Sequence, residues 1–66
     1  MLSERQAKLL ALILKDPVRF HDPGEYLSSR ERRLMVRLQN AGLVQEGKNG
    51  GYTLTPSGAL AAILVS

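Results

Sequence analysis

Helix-start signals punctuate this chain, and they constrain its fold before any hydrophobic pattern is read. Ser3-Glu4-Arg5-Gln6 and Ser28-Ser29-Arg30-Glu31 both have the form Ser-x-x-Gln/Glu. In that arrangement the Ser side chain takes the amide three residues on, and the Gln or Glu side chain returns to the Ser backbone. Thr55-Pro56 is a further signal: an N-cap residue, then proline at the first helical position, where its missing N–H is not needed. With such starts spread over 66 residues, most of the chain is committed to helix.

The segments between these signals complete the outline. After Ser3, residues Ala7, Leu10, Ala11, Ile13 and Leu14 recur at helical spacing, which predicts a helix over 4–15. Asp16-Pro17 ends it, because proline disfavours helical geometry in the residue before it. Val18-Arg19-Phe20 alternates apolar and polar and predicts a short strand or extended stub, with His21 in a turn. Asp22-Pro23-Gly24-Glu25 then signals a short helix over 23–27.

Ser28 caps a helix over 29–41, with Leu27, Leu34, Leu38 and Ala41 forming its core face and Gly42 ending it in a left-handed cap. The close succession of 23–27 and 29–41 predicts a helix-turn-helix. Leu43-Val44-Gln45-Glu46 and Tyr52-Thr53-Leu54-Thr55 flank Gly47-Lys48-Asn49-Gly50-Gly51, a β-hairpin pattern. A last helix runs from Pro56 to Val65. The expectation is one α+β domain over 1–66, mostly helical.

Composition removes several function classes. There is no Cys and one His, His21, so neither a disulfide framework nor a zinc centre is expected. Asp16, Asp22, Glu25 and Glu31 are scattered, and most are explained by helix capping. Ser28 and Ser29 have no base beside them in sequence, and no enzyme, metal or cofactor is expected. Gly47 to Gly51 lacks the Gly-Lys-Ser/Thr ending of a phosphate-binding loop. Phe20, Tyr26 and Tyr52 are expected as core fillers, since single-strand binders gather aromatics on one surface. No apolar run reaches the roughly 20 residues of a membrane span, and Met1 to Gln6 turns polar at once. A cytoplasmic protein is expected.

The charge is informative by position. Between Ser28 and Lys48 lie Arg30, Arg32, Arg33, Arg37 and Lys48 against Glu31 and Glu46, whereas the rest of the chain carries four basic and four acidic residues. All the excess of nine basic over six acidic residues therefore lies in that segment, the footprint expected of a polyanion-binding surface.

Leu38-Gln39-Asn40-Ala41-Gly42-Leu43-Val44, followed by Gly50-Gly51-Tyr52-Thr53-Leu54-Thr55-Pro56-Ser57-Gly58, resembles a segment of winged helix-turn-helix transcriptional regulators. The likeness is to the multiple-antibiotic-resistance and phenolic-acid repressor types, from the end of the recognition helix through the wing to the start of the last helix. It extends over roughly residues 4–65, with the specific part at 38–58. The resemblance implies a three-helix core, a two-stranded wing at 47–51, a C-terminal helix and sequence-specific binding of double-stranded DNA. The chain departs from the family pattern in its abbreviated second helix, with Pro23 and Gly24, and the long flanking helices or effector domain that many members use are not expected. No small-molecule effector is expected.

The chemistry of helix 29–41 fits that implication. Opposite its apolar stripe fall Ser29, Arg32, Arg33, Val36, Gln39 and Asn40. Arg can fork onto guanine, Gln and Asn onto adenine, and Val can meet a thymine methyl. Arg32 and Arg33 are the foremost candidates for base contact. Arg30 and Arg37 flank the stripe and suit backbone phosphates. Ser28 and Ser29 stand at the helix N-terminus, which favours an anion. Lys48 and Asn49 at the hairpin tip complete the candidate set; either Lys48 reaches a phosphate or the minor groove, or the tip serves simply as a soluble turn.

The last helix carries no charge from Ala59 to Val65, although a surface helix normally has a polar face. Leu60, Ile63 and Leu64 are expected to face the core, leaving Ala61, Ala62 and Val65 outward. Leu12 lies on the Arg5 and Lys8 side of the first helix. These four outward residues nominate a homodimer through the first and last helices. The rival readings are a protein-interaction adaptor on a winged-helix scaffold and an RNA-binding module.

Overall fold

The computed structural model describes residues 2–21 and 27–66 of the chain. The order is α1 (Glu4–Lys15), α2 (Pro17–His21), α3 (Ser29–Asn40), β1 (Val44–Glu46), β2 (Tyr52–Leu54) and α4 (Pro56–Val65). It is an α+β fold, mostly helical, with one antiparallel hairpin among the described residues.

Both capping boxes form. The Gln6 amide donates to Ser3 Oγ at 3.1 Å and the Ser3 amide donates to Gln6 Oε1 at 2.8 Å. At α3 the Glu31 amide donates to Ser28 Oγ and the Ser28 amide donates to Glu31 Oε1, both at 3.1 Å. Thr55 caps α4, its Oγ1 accepting from the Gly58 amide at 3.0 Å. Gly42 takes φ +77° after α3. Its amide donates to the Gln39 carbonyl and the Leu43 amide to the Leu38 carbonyl, the paired bonds that close a helix on a left-handed residue. The turn carries Leu43 onto the core edge and starts the hairpin, whose register is Val44↔Leu54, Gln45↔Thr53 and Glu46↔Tyr52.

The segment after Pro17 corrects the expected strand stub. Val18 and Phe20 would share a face in a strand, whose side chains alternate, yet Val18 is 70% exposed and Phe20 only 1%. They lie on opposite sides of a single helical turn. Pro17 bars the helical conformation at Asp16 but is itself suited to a first helical position, so the residue that ends α1 also starts α2. His21, expected in a turn, is instead the last residue of α2; its exposure agrees with the expectation. The helix expected over 23–27 lies outside the described residues, apart from Leu27, which is buried and not helical. Tyr26 and the Asp22–Glu25 start signal also lie outside them.

The core gathers Leu9, Leu10 and Ile13 of α1, Phe20 of α2, Leu27, Met35 and Leu38 of α3, Val44 and Tyr52 of the hairpin, and Ala62 of α4. α1 is central and packs against α2, α3, α4 and β2. Neighbours on several sides rotate its inward stripe toward Leu9 and leave Leu14 exposed. On α3 the stripe runs through Leu34, Met35 and Leu38, whereas Ala41, expected inward, is exposed because the helix ends at Asn40 and the turn carries Ala41 away.

α4 is turned about its axis relative to the sequence expectation. Gly58 and Ala62 are buried and Ala61 is half-buried, while Leu60, Ile63 and Leu64 are 65%, 58% and 85% exposed. The cause is close approach. A Cβ on Gly58 would collide with the Leu43 carbonyl oxygen, so the helix is seated by its small residues and its large ones point out.

Candidate functional site

Every polyanion-binding candidate named from the sequence is exposed: Ser28, Ser29, Arg30, Arg32, Arg33, Val36, Arg37, Gln39, Asn40, Lys48 and Asn49. They all reach solvent, but the structure gives them different surroundings.

Ser28 stands at an N-terminus already supplied with an anion. The Glu31 carboxylate takes the Ser28 amide, Ser28 Oγ takes the Glu31 amide, and Arg19 lies 3.6 Å from Glu31 Oε2. Arg19 also stacks over the Phe20 ring, 5.1 Å from its centroid. An external phosphate at this helix end would meet the carboxylate of Glu31, which makes the end a poorer anion seat than helix polarity alone implies. Glu31 is a capping partner, as its spacing predicts.

The arginines divide into two groups. Adjacent helical residues are about 100° apart, so Arg32 and Arg33 point to different sides of α3. Arg33 joins Arg30 and Arg37 along one flank, and Arg5 of α1 meets them across a groove of 810 Å³. Ser3, Glu4, Ser29 and Leu34 complete its walls. Glu4 is the one carboxylate in the lining, and Lys8 pairs with it at 3.8 Å. Among the described residues, no ion pair engages Arg5, Arg30, Arg33 or Arg37. Four guanidiniums against one carboxylate leave a net positive charge that favours an anionic occupant, and guanidinium offers phosphate a bidentate fork.

Arg32, Val36, Gln39 and Asn40 form the other part of the exposed α3 surface, a mixed donor, acceptor and apolar strip. Sequence reasoning missed Arg5. Its basic character was visible, but nothing local says that the first turn of α1 lies beside the flank of α3, a helix that begins 24 residues further on.

At the hairpin tip the two candidates differ. Lys48 is exposed. The Asn49 side chain is engaged within the chain: Nδ2 donates to the His21 carbonyl at 3.2 Å and Oδ1 accepts from the Gly51 amide at 3.0 Å. Asn49 ties the tip to the end of α2, so its amide serves the turn before any ligand.

The nominated self-association residues are not brought together. Leu12 is exposed but lines a shallow cleft between α1 and α3 with Arg5, Lys8, Arg30, Glu31 and Leu34. Ala62 is fully buried and Ala61 half-buried, which corrects their expected outward placement; Val65 is exposed. The outward apolar residues of α4 are Leu60, Ile63 and Leu64 instead.

A third concavity, apolar in its lining, lies between Ile13, Leu14, Pro17, Val18, His21, Thr53 and Leu54. No helix among the described residues is long and apolar enough to cross a membrane. Comparison of the chain with protein-family models, with curated proteins and with solved structures finds no match.

Proposed function

We propose that this chain is a winged helix-turn-helix protein that binds double-stranded DNA sequence-specifically and regulates transcription by occupying its site. α3 enters the major groove, and the 47–51 hairpin acts as the wing. The supporting observation is the arginine flank of α3, which meets Arg5 with no ion-pair partner among the described residues, beside the exposed strip of Arg32, Val36, Gln39 and Asn40. Arg32, Val36, Gln39 and Asn40 take the base edges, with Arg33 at the boundary between bases and backbone. Arg30, Arg37 and Lys48 take phosphates. The site of action on this reading is the cytoplasm, a compartment that suits a chain without cysteine.

An amide-shift titration with duplex DNA tests the reading. Residues 29–40 and Lys48 move together if it holds. Alanine at both Arg32 and Arg33 weakens binding by about 1–3 kcal/mol for each base that is no longer read, and relaxes base preference. Unchanged affinity and preference in that double variant reject the assigned face. A stronger response to single-stranded or structured RNA than to duplex DNA favours the RNA reading.

The exposed Leu60, Ile63 and Leu64 ridge supports a further element, a homodimer through α4. Two-fold symmetry sets recognition helices about 34 Å apart on one face of DNA. The same ridge favours the adaptor reading if DNA is ignored and a protein partner saturates it.

A further inference from the structure

We propose that Arg5 of α1 and Arg30, Arg33 and Arg37 of α3 form a two-helix clamp on one phosphodiester strand; as applied to DNA, this rests on the reading above. The α3 N-terminus, where backbone amides would ordinarily hold a phosphate, already carries the carboxylate of Glu31, which binds the Ser28 amide and is paired with Arg19. The uncompensated positive charge lies one flank over. Arg30, Arg33 and Arg37 follow one ridge of α3, and the first turn of α1 brings Arg5 against it across the groove.

The dimensions suit a strand better than a small anion. From Arg30 to Arg37 the ridge extends about 10 Å, at ~1.5 Å per residue, so its three guanidiniums are spread along a line rather than gathered around one point. The groove of 810 Å³ runs beside this ridge and is open to solvent, as a polymer that continues beyond it requires. Ser29 adds an exposed hydroxyl donor to the wall. The clamp also has a consequence for register. A strand held between α1 and this flank leaves Arg32, Val36 and Gln39, on the far side of α3, as the residues turned to the bases.

The test measures binding of the full chain to a duplex of random sequence and to inorganic polyphosphate, each over a salt series. The variants are Arg5→Gln, Arg5→Lys and Lys15→Gln. Lys15 is exposed at the opposite end of α1, so its replacement removes the same charge away from the groove. The clamp predicts that Arg5→Gln makes the duplex salt slope shallower by about 0.9, the value for one phosphate neutralised by one cation. Arg5→Lys keeps the slope and Lys15→Gln leaves it unchanged. Duplex binding with the same slope in Arg5→Gln as in the natural chain overturns the clamp while leaving α3 as the DNA-binding helix. Arg5-dependent binding of polyphosphate without binding of duplex upholds the clamp and overturns the DNA reading. Binding of neither polymer overturns both.

Discussion

Gly58 lacks a side chain where the Leu43 carbonyl occupies the space that one would need. The contact is to backbone, and Leu43 is held on both sides: its amide donates to the Leu38 carbonyl at 2.9 Å and its carbonyl accepts from the Thr55 amide at 3.0 Å. Thr55 adds to the same junction, its hydroxyl donating to the Gly42 carbonyl at 2.6 Å. Neither side of the contact can yield cheaply. Gly58→Ala is expected to cost about 1–3 kcal/mol, the range for overpacking a closed site, seen as a lower urea midpoint with an unchanged slope. An alanine variant as stable as the natural chain would show that α4 can lift away freely. Ser28 and Glu31 make the opposite case. Their mutual capping is a relation between near neighbours and was legible in the sequence, whereas Gly58 and Leu43 lie 15 residues apart and nothing at either position announces the other.

At the scale of elements, α2 is the sharpest difference between pattern and structure. Three residues with alternating polarity fit a strand, but a strand needs a neighbour, and the hairpin pairs only with itself among the described residues. Without a ladder to complete, the chain satisfies its backbone locally in one helical turn, and Phe20 is delivered inward while Val18 stays in water. Phe20→Ala is accordingly expected to cost about 3–5 kcal/mol, a large share of the roughly 3–10 kcal/mol available to a chain this size. Val18→Ala should change stability by no more than about 0.5 kcal/mol. Thermal unfolding of the two variants checks this, and comparable losses from both would return the segment to a strand. α4 shows the complementary case. Its start was legible from Thr55-Pro56, but a helix without a charged residue has no polar face to orient it, so side-chain size decided which side lies inward.

For the molecule as a whole, the rotation of α4 relocates the apolar surface without removing it. Leu60 and Leu64 are successive residues of one helical ridge, both largely in water, and such exposed apolar surface is characteristic of an interface. Leu60→Gln with Leu64→Gln is expected to leave the fold intact and convert the proposed dimer to a monomer in sedimentation at micromolar concentration. A natural chain that sediments as a monomer, with and without duplex DNA, overturns the dimer. The charged surface is a property of this scale too. The excess of basic residues was visible as a property of one segment, and its association with α3 followed from local signals. The groove that gives Arg30, Arg33 and Arg37 a fourth arginine exists only because α1 packs beside α3.

The sequence by itself determined the features set by spacings of a few residues: both capping boxes, the Thr55-Pro56 start, the left-handed Gly42, the hairpin around its glycine-rich tip, and the helix that carries the basic cluster. Each is a local relation in which the side chain and the backbone group it satisfies are near neighbours along the chain. Only the tertiary structure decided the helical state of Pro17–His21, the inward face of α4, the engagement of Asn49 with His21 and the meeting of Arg5 with α3. These depend on which surfaces are covered and how closely two backbones approach, and those quantities arise only when distant segments pack.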